Sequence, residues 1–133
     1  MIRTLKQTDY RVTKTLFMEV FDESEEPDFI RLQSKQRGSL GCFYRGVLVG
    51  AAIVTHQRLE YIFIHPDFQT FGYGSKLLKE VIKRCPTLFL TAVADPGVRA
   101  WYSKHGFQQV GDNTFRITRY NLRKLASSAF RTI

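Results

Sequence analysis

The stretch from residue 59 to residue 92 constrains this 133-residue chain more than any other. "RLEYIFIHP" is rich in β-branched and aromatic residues, which favour a strand, and Pro66 stops it. A loop over 67–73 feeds a helix from about Gly74 to Arg84. Leu77, Leu78, Val81 and Ile82 form its apolar stripe, and Lys76, Lys79, Glu80 and Lys83 face solvent. Pro86 closes that helix, and "TLFLTAV" reads as the next strand. Strand, helix and strand in this order predict one right-handed parallel crossover.

The flanking segments predict an otherwise antiparallel sheet. "IRTL" reads as a short strand. Thr8 is a helix N-cap, with Asp9 in the favourable first turn. Val12, Leu16, Phe17, Val20 and Phe21 recur at helical spacing, which predicts a helix over 9–21. Pro27 can open a second short helix through about Lys35. "GSLGCFY" and "VLVGAAIVT", joined by "RG", read as a β-hairpin. "GVRAWYSKH" reads as a helix closed by Gly106, and "FQQVG" and "FRITRYNL" as a last antiparallel pair. The sum is an α/β domain over 1–122. Its mixed, mostly antiparallel sheet has about seven strands, with about four helices and one parallel βαβ crossover. Residues 123–133 form a C-terminal tail.

Composition narrows the functional classes. The chain is 44% apolar and 24% charged, as an ordinary soluble protein is. No apolar run approaches the roughly 20 residues of a membrane span, and the N-terminus is no signal peptide. That predicts an intracellular protein, cytoplasmic or nuclear, acting as a monomer or homodimer. Cys42 and Cys85 form no C-x-x-C pair and read as small buried hydrophobes. No clustering of His, Cys, Asp and Glu predicts a metal. A net charge of +8 favours a polyanionic partner, either a nucleic acid or a phosphorylated cofactor.

The loop "QTFGYGSKLL" carries the chemistry. It lacks the lysine spacing of a P-loop and the third glycine of a dinucleotide fingerprint. Gly72 and Gly74 nonetheless free the backbone, and the helix behind them adds the positive end of its dipole. Gln69 can supply a further donor. A diphosphate suits this loop better than a nucleic acid, which wants an extended basic and aromatic surface. Two glycines making a plain turn is the bland alternative.

Taken together, "IFIHPDFQTFGYGSKLL" and "VADPGVRAWYSKHGF" resemble the GNAT superfamily of Gcn5-related N-acetyltransferases. The cofactor loop of that family, Q/R-x-x-G-x-G/A, matches Gln69, Thr70, Phe71, Gly72, Tyr73 and Gly74. Its second motif puts an aromatic four residues before Gly-Phe, as Tyr102 stands before Gly106 and Phe107. The resemblance implies acetyl-CoA as cofactor, with its diphosphate on the amides from Gln69 to Ser75. The pantetheine arm would lie along the strand near Phe63 and Ile64. Asp95 stands where the family commonly has asparagine and belongs to the same site. Thr70 and Phe71 replace the usual glycine and basic residue, so the loop has no cation of its own. Lys76, Lys79, Arg99 and Lys104 are candidates to compensate.

Acetyl transfer to an amine calls for a base, because an amine with a pKa near about 10.4 is protonated at neutral pH. Glu60 is the candidate, on the strand entering the loop where several members of the family place a catalytic glutamate. Strict alternation puts it on one face with Ile62 and Ile64, and burial there would raise its pKa. A pairing with Arg58 at the strand's start is the alternative. Tyr102 is the candidate acid, with a core tyrosine as the alternative. His65 reads as a strand-end cap, and His105 as packing beside Gly106. The acidic run Asp22, Glu23, Glu25, Glu26 and Asp28 would attract a cationic acceptor, such as a lysine peptide or a polyamine. The predicted activity is direct acetyl transfer to such an amine in a ternary complex. The rival readings are a catalytically silent acyl-CoA sensor and a nucleic-acid-binding domain.

Overall fold

Seven strands are present in the computed structural model, which describes residues 1–21, 38–92 and 95–118. They are Ile2–Thr4 (β1), Leu40–Tyr44 (β2), Val47–Thr55 (β3), Arg58–Ile64 (β4), Thr87–Thr91 (β5), Gln108–Gln109 (β6) and Thr114–Thr118 (β7). They pair in the order β1-β2-β3-β4-β5-β7-β6, and only β4 and β5 are parallel neighbours. Three α-helices are described: Tyr10–Phe21 (α1), Tyr73–Arg84 (α2) and Pro96–Lys104 (α3). The helix expected after Pro27, the acidic run and the C-terminal tail lie outside the described residues. None of the described helices is long and apolar enough to cross a membrane.

The expected crossover forms as β4–α2–β5. Leu77, Leu78, Val81 and Ile82 are all buried and join Leu40, Leu59, Ile64, Leu88 and Ile117 in one core on the α2 face of the sheet. Each such side chain contributes about 1.5–3 kcal/mol by leaving water. On the opposite face α1 packs Leu16 and Phe17 against Phe43, Leu48, Ile53 and Phe63. The sheet is therefore apolar on both sides, which explains the nearly unbroken burial of "VLVGAAIVT" in β3.

Several local expectations are corrected. The N-terminus of α1 is not capped by Thr8. A 3₁₀ turn over Gln7–Asp9 comes first, and Asp9 Oδ2 accepts the Lys6 N–H at 2.7 Å. Val12 and Phe21 are 49% and 40% exposed, whereas Thr13 is fully buried. The Thr13 hydroxyl donates to the Asp9 carbonyl at 2.8 Å, so it enters the core with its polar group satisfied. α2 starts one residue early, at Tyr73, and β5 stops at Thr91. His56 is placed with Gln57 in the two-residue turn between β3 and β4. Both have positive φ, 49° and 67°, as a tight hairpin turn needs.

The strict alternation expected along β4 also fails. Tyr61 pairs with Ile53 and Leu59 with Val54, so β4 carries one extra residue at Glu60. This bulge lets Leu59 share a core with Ile62 and Ile64, three and five positions on.

Asp9 anchors the first turn through two bonds from Arg3, at 2.8 and 3.0 Å, which hold its carboxyl below the usual range. A lowered carboxyl stabilises the fold above its unfolded value, about 3.9, and loses that effect as pH falls through the folded value. Asp9→Asn should therefore cost about 1–2 kcal/mol in urea denaturation at pH 7. The gap between variant and wild type should close toward pH 3 and below. Equal stability at pH 7 would contradict this account of the turn.

Candidate active site

The parallel pair β4–β5 is joined at one register position only, Arg58 with Phe89. The Phe89 N–H donates to the Gln57 carbonyl at 2.8 Å, and beyond this point the two strands part. Among the described residues the rest of β4 has no strand partner on its β5 side, while β5 continues its pairing with β7. A cleft of about 550 Å³ opens along this free edge. Ile62, Phe63 and Ile64 of β4 line it, with Gln69, Gly72, Gly74 and Ser75 of the loop and α2. Gly97, Val98, Trp101 and Tyr102 of α3 form the opposite wall, and Val20 and Phe21 of α1 complete it.

At the loop end the cleft is lined by Gly72, Gly74 and Ser75, at the start of α2. Gln69 donates from Nε2 to the Ile64 carbonyl at 3.0 Å, which ties the 3₁₀ turn Pro66–Phe71 to the end of β4. Gly72 then adopts φ +76°, and α2 begins without any side-chain cap. The first internal bond of α2 runs from the Lys76 N–H to the Gly72 carbonyl at 3.2 Å. The N–H groups of Tyr73, Gly74 and Ser75 precede it and have no intrahelical acceptor. None of the described residues lining the cleft carries a charge, so no carboxylate competes for these donors. A Cβ on Gly72 would meet nothing within 4 Å. That donor set suits a diphosphate, and the open strand edge suits an extended arm.

Tyr102 stands on the opposite wall. Its ring packs edge-on against Trp101 at 5.1 Å and Phe107 at 5.5 Å. Burial pushes its phenol above the ordinary value, so the proton is held firmly at neutral pH. Among the described residues no group hydrogen-bonds that hydroxyl.

The cleft thus gathers Phe63, Ile64, Gln69, Gly72, Gly74, Ser75 and Tyr102 from the residues the sequence points to. Glu60, Thr70, Phe71, Tyr73 and Asp95 are not among its lining residues. Thr70 and Phe71 are exposed, and the Phe71 ring lies tilted, 6.2 Å between centroids, beside Phe68 and Tyr73. Asp95 caps α3 by accepting the N–H groups of Gly97 at 2.7 Å and Val98 at 3.4 Å. Arg99 is tied to Asn113 Oδ1 at 2.6 Å and the Asp112 carbonyl at 3.0 Å.

Glu60 is only half-buried, its side chain 28% exposed. Its Oε1 accepts from the Thr55 hydroxyl at 2.8 Å, with Arg58 Nε 4.0 Å away. Oε2 has no partner among the described residues. The apolar surroundings expected for this carboxylate are therefore not formed, because the bulge turns it toward the β3–β4 hairpin. Sequence reading also missed the Val20–Phe21 edge and the Trp101 wall. Helical spacing marks all three as apolar, but nothing in it says that they face a cleft.

Comparison with known proteins matches this architecture. Residues 6–117 match the family model described as an acetyltransferase (GNAT) domain, and the chain belongs to that family. The ribosomal-protein-S18-alanine N-acetyltransferase of Escherichia coli superposes with a TM-score of 0.67 at 20% identity, over 87% of this chain and 90% of that one. Ard1 from Thermoplasma volcanium gives 0.67 at 16% identity, over 87% and 93% of the two chains. PaiA N-acetyltransferase from Thermoplasma acidophilum, solved in complex with coenzyme A, gives 0.57 at 17%, over 87% and 95%. A search of curated protein sequences returns no match. The chain is thus a GNAT acetyltransferase that uses acetyl-CoA.

Two glycines of the loop should respond oppositely to the same change. Gly72→Ala forces a side chain into φ +76° and should cost about 1–2 kcal/mol. Gly74→Ala places its Cβ at ordinary contact, 3.8 Å from Trp101 and 3.9 Å from Ile64. It should gain up to about 1 kcal/mol from helix propensity. Thermal denaturation reads both, and a shift of the same sign in both variants would contradict the assigned backbone.

Proposed function

We propose that the protein transfers acetyl directly to a cationic primary amine in a ternary complex. The acceptor is a lysine side chain of a basic peptide, or a polyamine. The observation that carries the reading is Tyr102: a phenol in the cleft wall, protonated at neutral pH and with no hydrogen-bond partner on its hydroxyl among the described residues. Acetyl-CoA supplies an acetyl group already activated as a thioester. The N–H groups of Tyr73, Gly74 and Ser75 hold its diphosphate, and the free edge of β4 at Phe63 and Ile64 holds its arm.

Glu60 receives the proton of the incoming ammonium at Oε2, through a water molecule. Thr55 holds the other oxygen, with Arg58 beside it, and so orients the carboxylate. Backbone N–H groups near Phe63 donate where negative charge develops. As the carbon–sulfur bond breaks, Tyr102 gives its proton to the departing thiolate, and the proton that the amine nitrogen sheds on forming the amide restores the phenol through solvent. The preference for a cation is supported by Asp22, Glu23, Glu25 and Glu26. Their run begins one residue after Phe21, which lines the cleft.

The test is thiol release from acetyl-CoA against lysine peptides, polyamines, aminoglycosides and free amino acids. Turnover should appear with the cationic peptides or polyamines. Tyr102→Phe and Glu60→Gln should each lower kcat by about a hundredfold and leave the acetyl-CoA Kd within about twofold. Full turnover in either variant would remove that residue from the mechanism. Binding of acetyl-CoA with no release for any amine would overturn the proposed transfer.

A further inference from the structure

His105 links the end of α3 to the start of α2. Its Nδ1 lies 2.7 Å from the Trp101 carbonyl oxygen, and its Nε2 lies 3.0 Å from Ser75 Oγ. A carbonyl oxygen only accepts, so Nδ1 carries the hydrogen in that contact. In a neutral imidazole Nε2 is then bare and accepts the Ser75 hydroxyl proton. The Ser75 O–H therefore points at His105, away from the cleft that Ser75 lines.

A phosphate oxygen held on the first turn of α2 also only accepts. It competes with Nε2 for the single hydroxyl proton of Ser75. A protonated His105 removes the conflict, because every group then has a complementary partner. Nδ1–H donates to the Trp101 carbonyl, Nε2–H donates to Ser75 Oγ, and the hydroxyl turns to the phosphate oxygen. We infer that binding of a diphosphate at the start of α2 takes up one proton on His105 and turns the Ser75 hydroxyl into the cleft. The inference rests on the cofactor site described above. The proton comes from solvent, sits on Nε2 while the ligand is bound and returns on release. No covalent bond to carbon, oxygen or phosphorus changes.

The surroundings make the ligand the source of the compensating charge. The hydrogen bonds and ring contact of His105 come from α2 and α3, and among the described residues no carboxylate pairs with it. Lys104 adjoins it on α3, and Lys76 and Lys79 lie one and four positions past Ser75 on α2. Its ring packs tilted against Trp101, with centroids 4.5 Å apart. Histidine is the side chain that changes charge between about pH 5 and 8, so the coupling operates near neutrality.

The experiment is calorimetric titration of the full chain with dephospho-CoA. This ligand keeps the diphosphate and lacks the monoester, which itself titrates near pH 6 or so. Measured at pH 7.5 in two buffers of different ionisation enthalpy, the wild type should take up about one proton per ligand. Its Kd should weaken with rising pH, by up to about tenfold per unit. His105→Gln keeps a donor toward Ser75 that cannot titrate, so proton uptake should vanish and the Kd become flat with pH. Ser75→Ala breaks the same link and should also abolish uptake, which keeps the test decisive if the glutamine variant fails to fold. Binding by the wild type without proton uptake, or equal uptake in wild type and variants, overturns the inference and leaves the cofactor site standing. No binding by the wild type to dephospho-CoA or to acetyl-CoA overturns the site itself, and the coupling with it.

Discussion

The parting of β4 from β5 is the constraint on which the rest of the site depends. A parallel pair normally satisfies its slanted bonds along its full length. Here one register position, Arg58 with Phe89, holds the two strands, and the next residues of β4 belong to no ladder on that side. Backbone groups left unpaired in a protein interior are costly, so such an edge persists only where solvent or a ligand reaches it. The core explains how the sheet survives the gap. β5 remains bound to β7 over five residue pairs, and β4 to β3 through a bulged but continuous ladder. Apolar packing on both faces carries the load that the missing ladder does not.

Once the strands part, the other features of the site follow from the crossover. The chain leaving β4 must turn back to reach α2, and Gly72 in a left-handed conformation makes that turn. The uncapped start of α2 then faces the gap. α3, capped by Asp95, closes the far side with Trp101 and Tyr102. The cleft is thus apolar along its walls, rich in donors at one end, and fitted with one phenol. Ser75 and His105 tie the start of α2 to the end of α3 through a hydrogen bond.

Much of this was legible in the sequence, for physical reasons. The apolar stripe of α2, the β-branched and aromatic content of β4 and the prolines at 66 and 86 are local signals, and the structure obeys them. The Gly72 and Gly74 loop was legible because only small residues leave amides free. What escaped reading depends on contacts distant in sequence. The bulge at Glu60 is a mismatch between two strands, and neither strand shows it alone. Thr13 looks polar and exposed until its hydroxyl is seen bonded one turn back. The Ser75–His105 bond joins residues 30 apart, and no spacing rule connects them. Asp9 rather than Thr8 holds the first helix because Arg3, on a different element, selects it.

The central claim is that the free edge of β4 and the uncapped start of α2 together bind acetyl-CoA. Amide hydrogen exchange of the protein with and without acetyl-CoA tests it most directly. The account predicts that protection rises in β4 at Ile62 and Ile64, whose backbone groups face the free edge, and at Tyr73, Gly74 and Ser75, with little change in β1, β2 and β7. Saturating binding that leaves those amides unprotected, or protects a different surface instead, would contradict it.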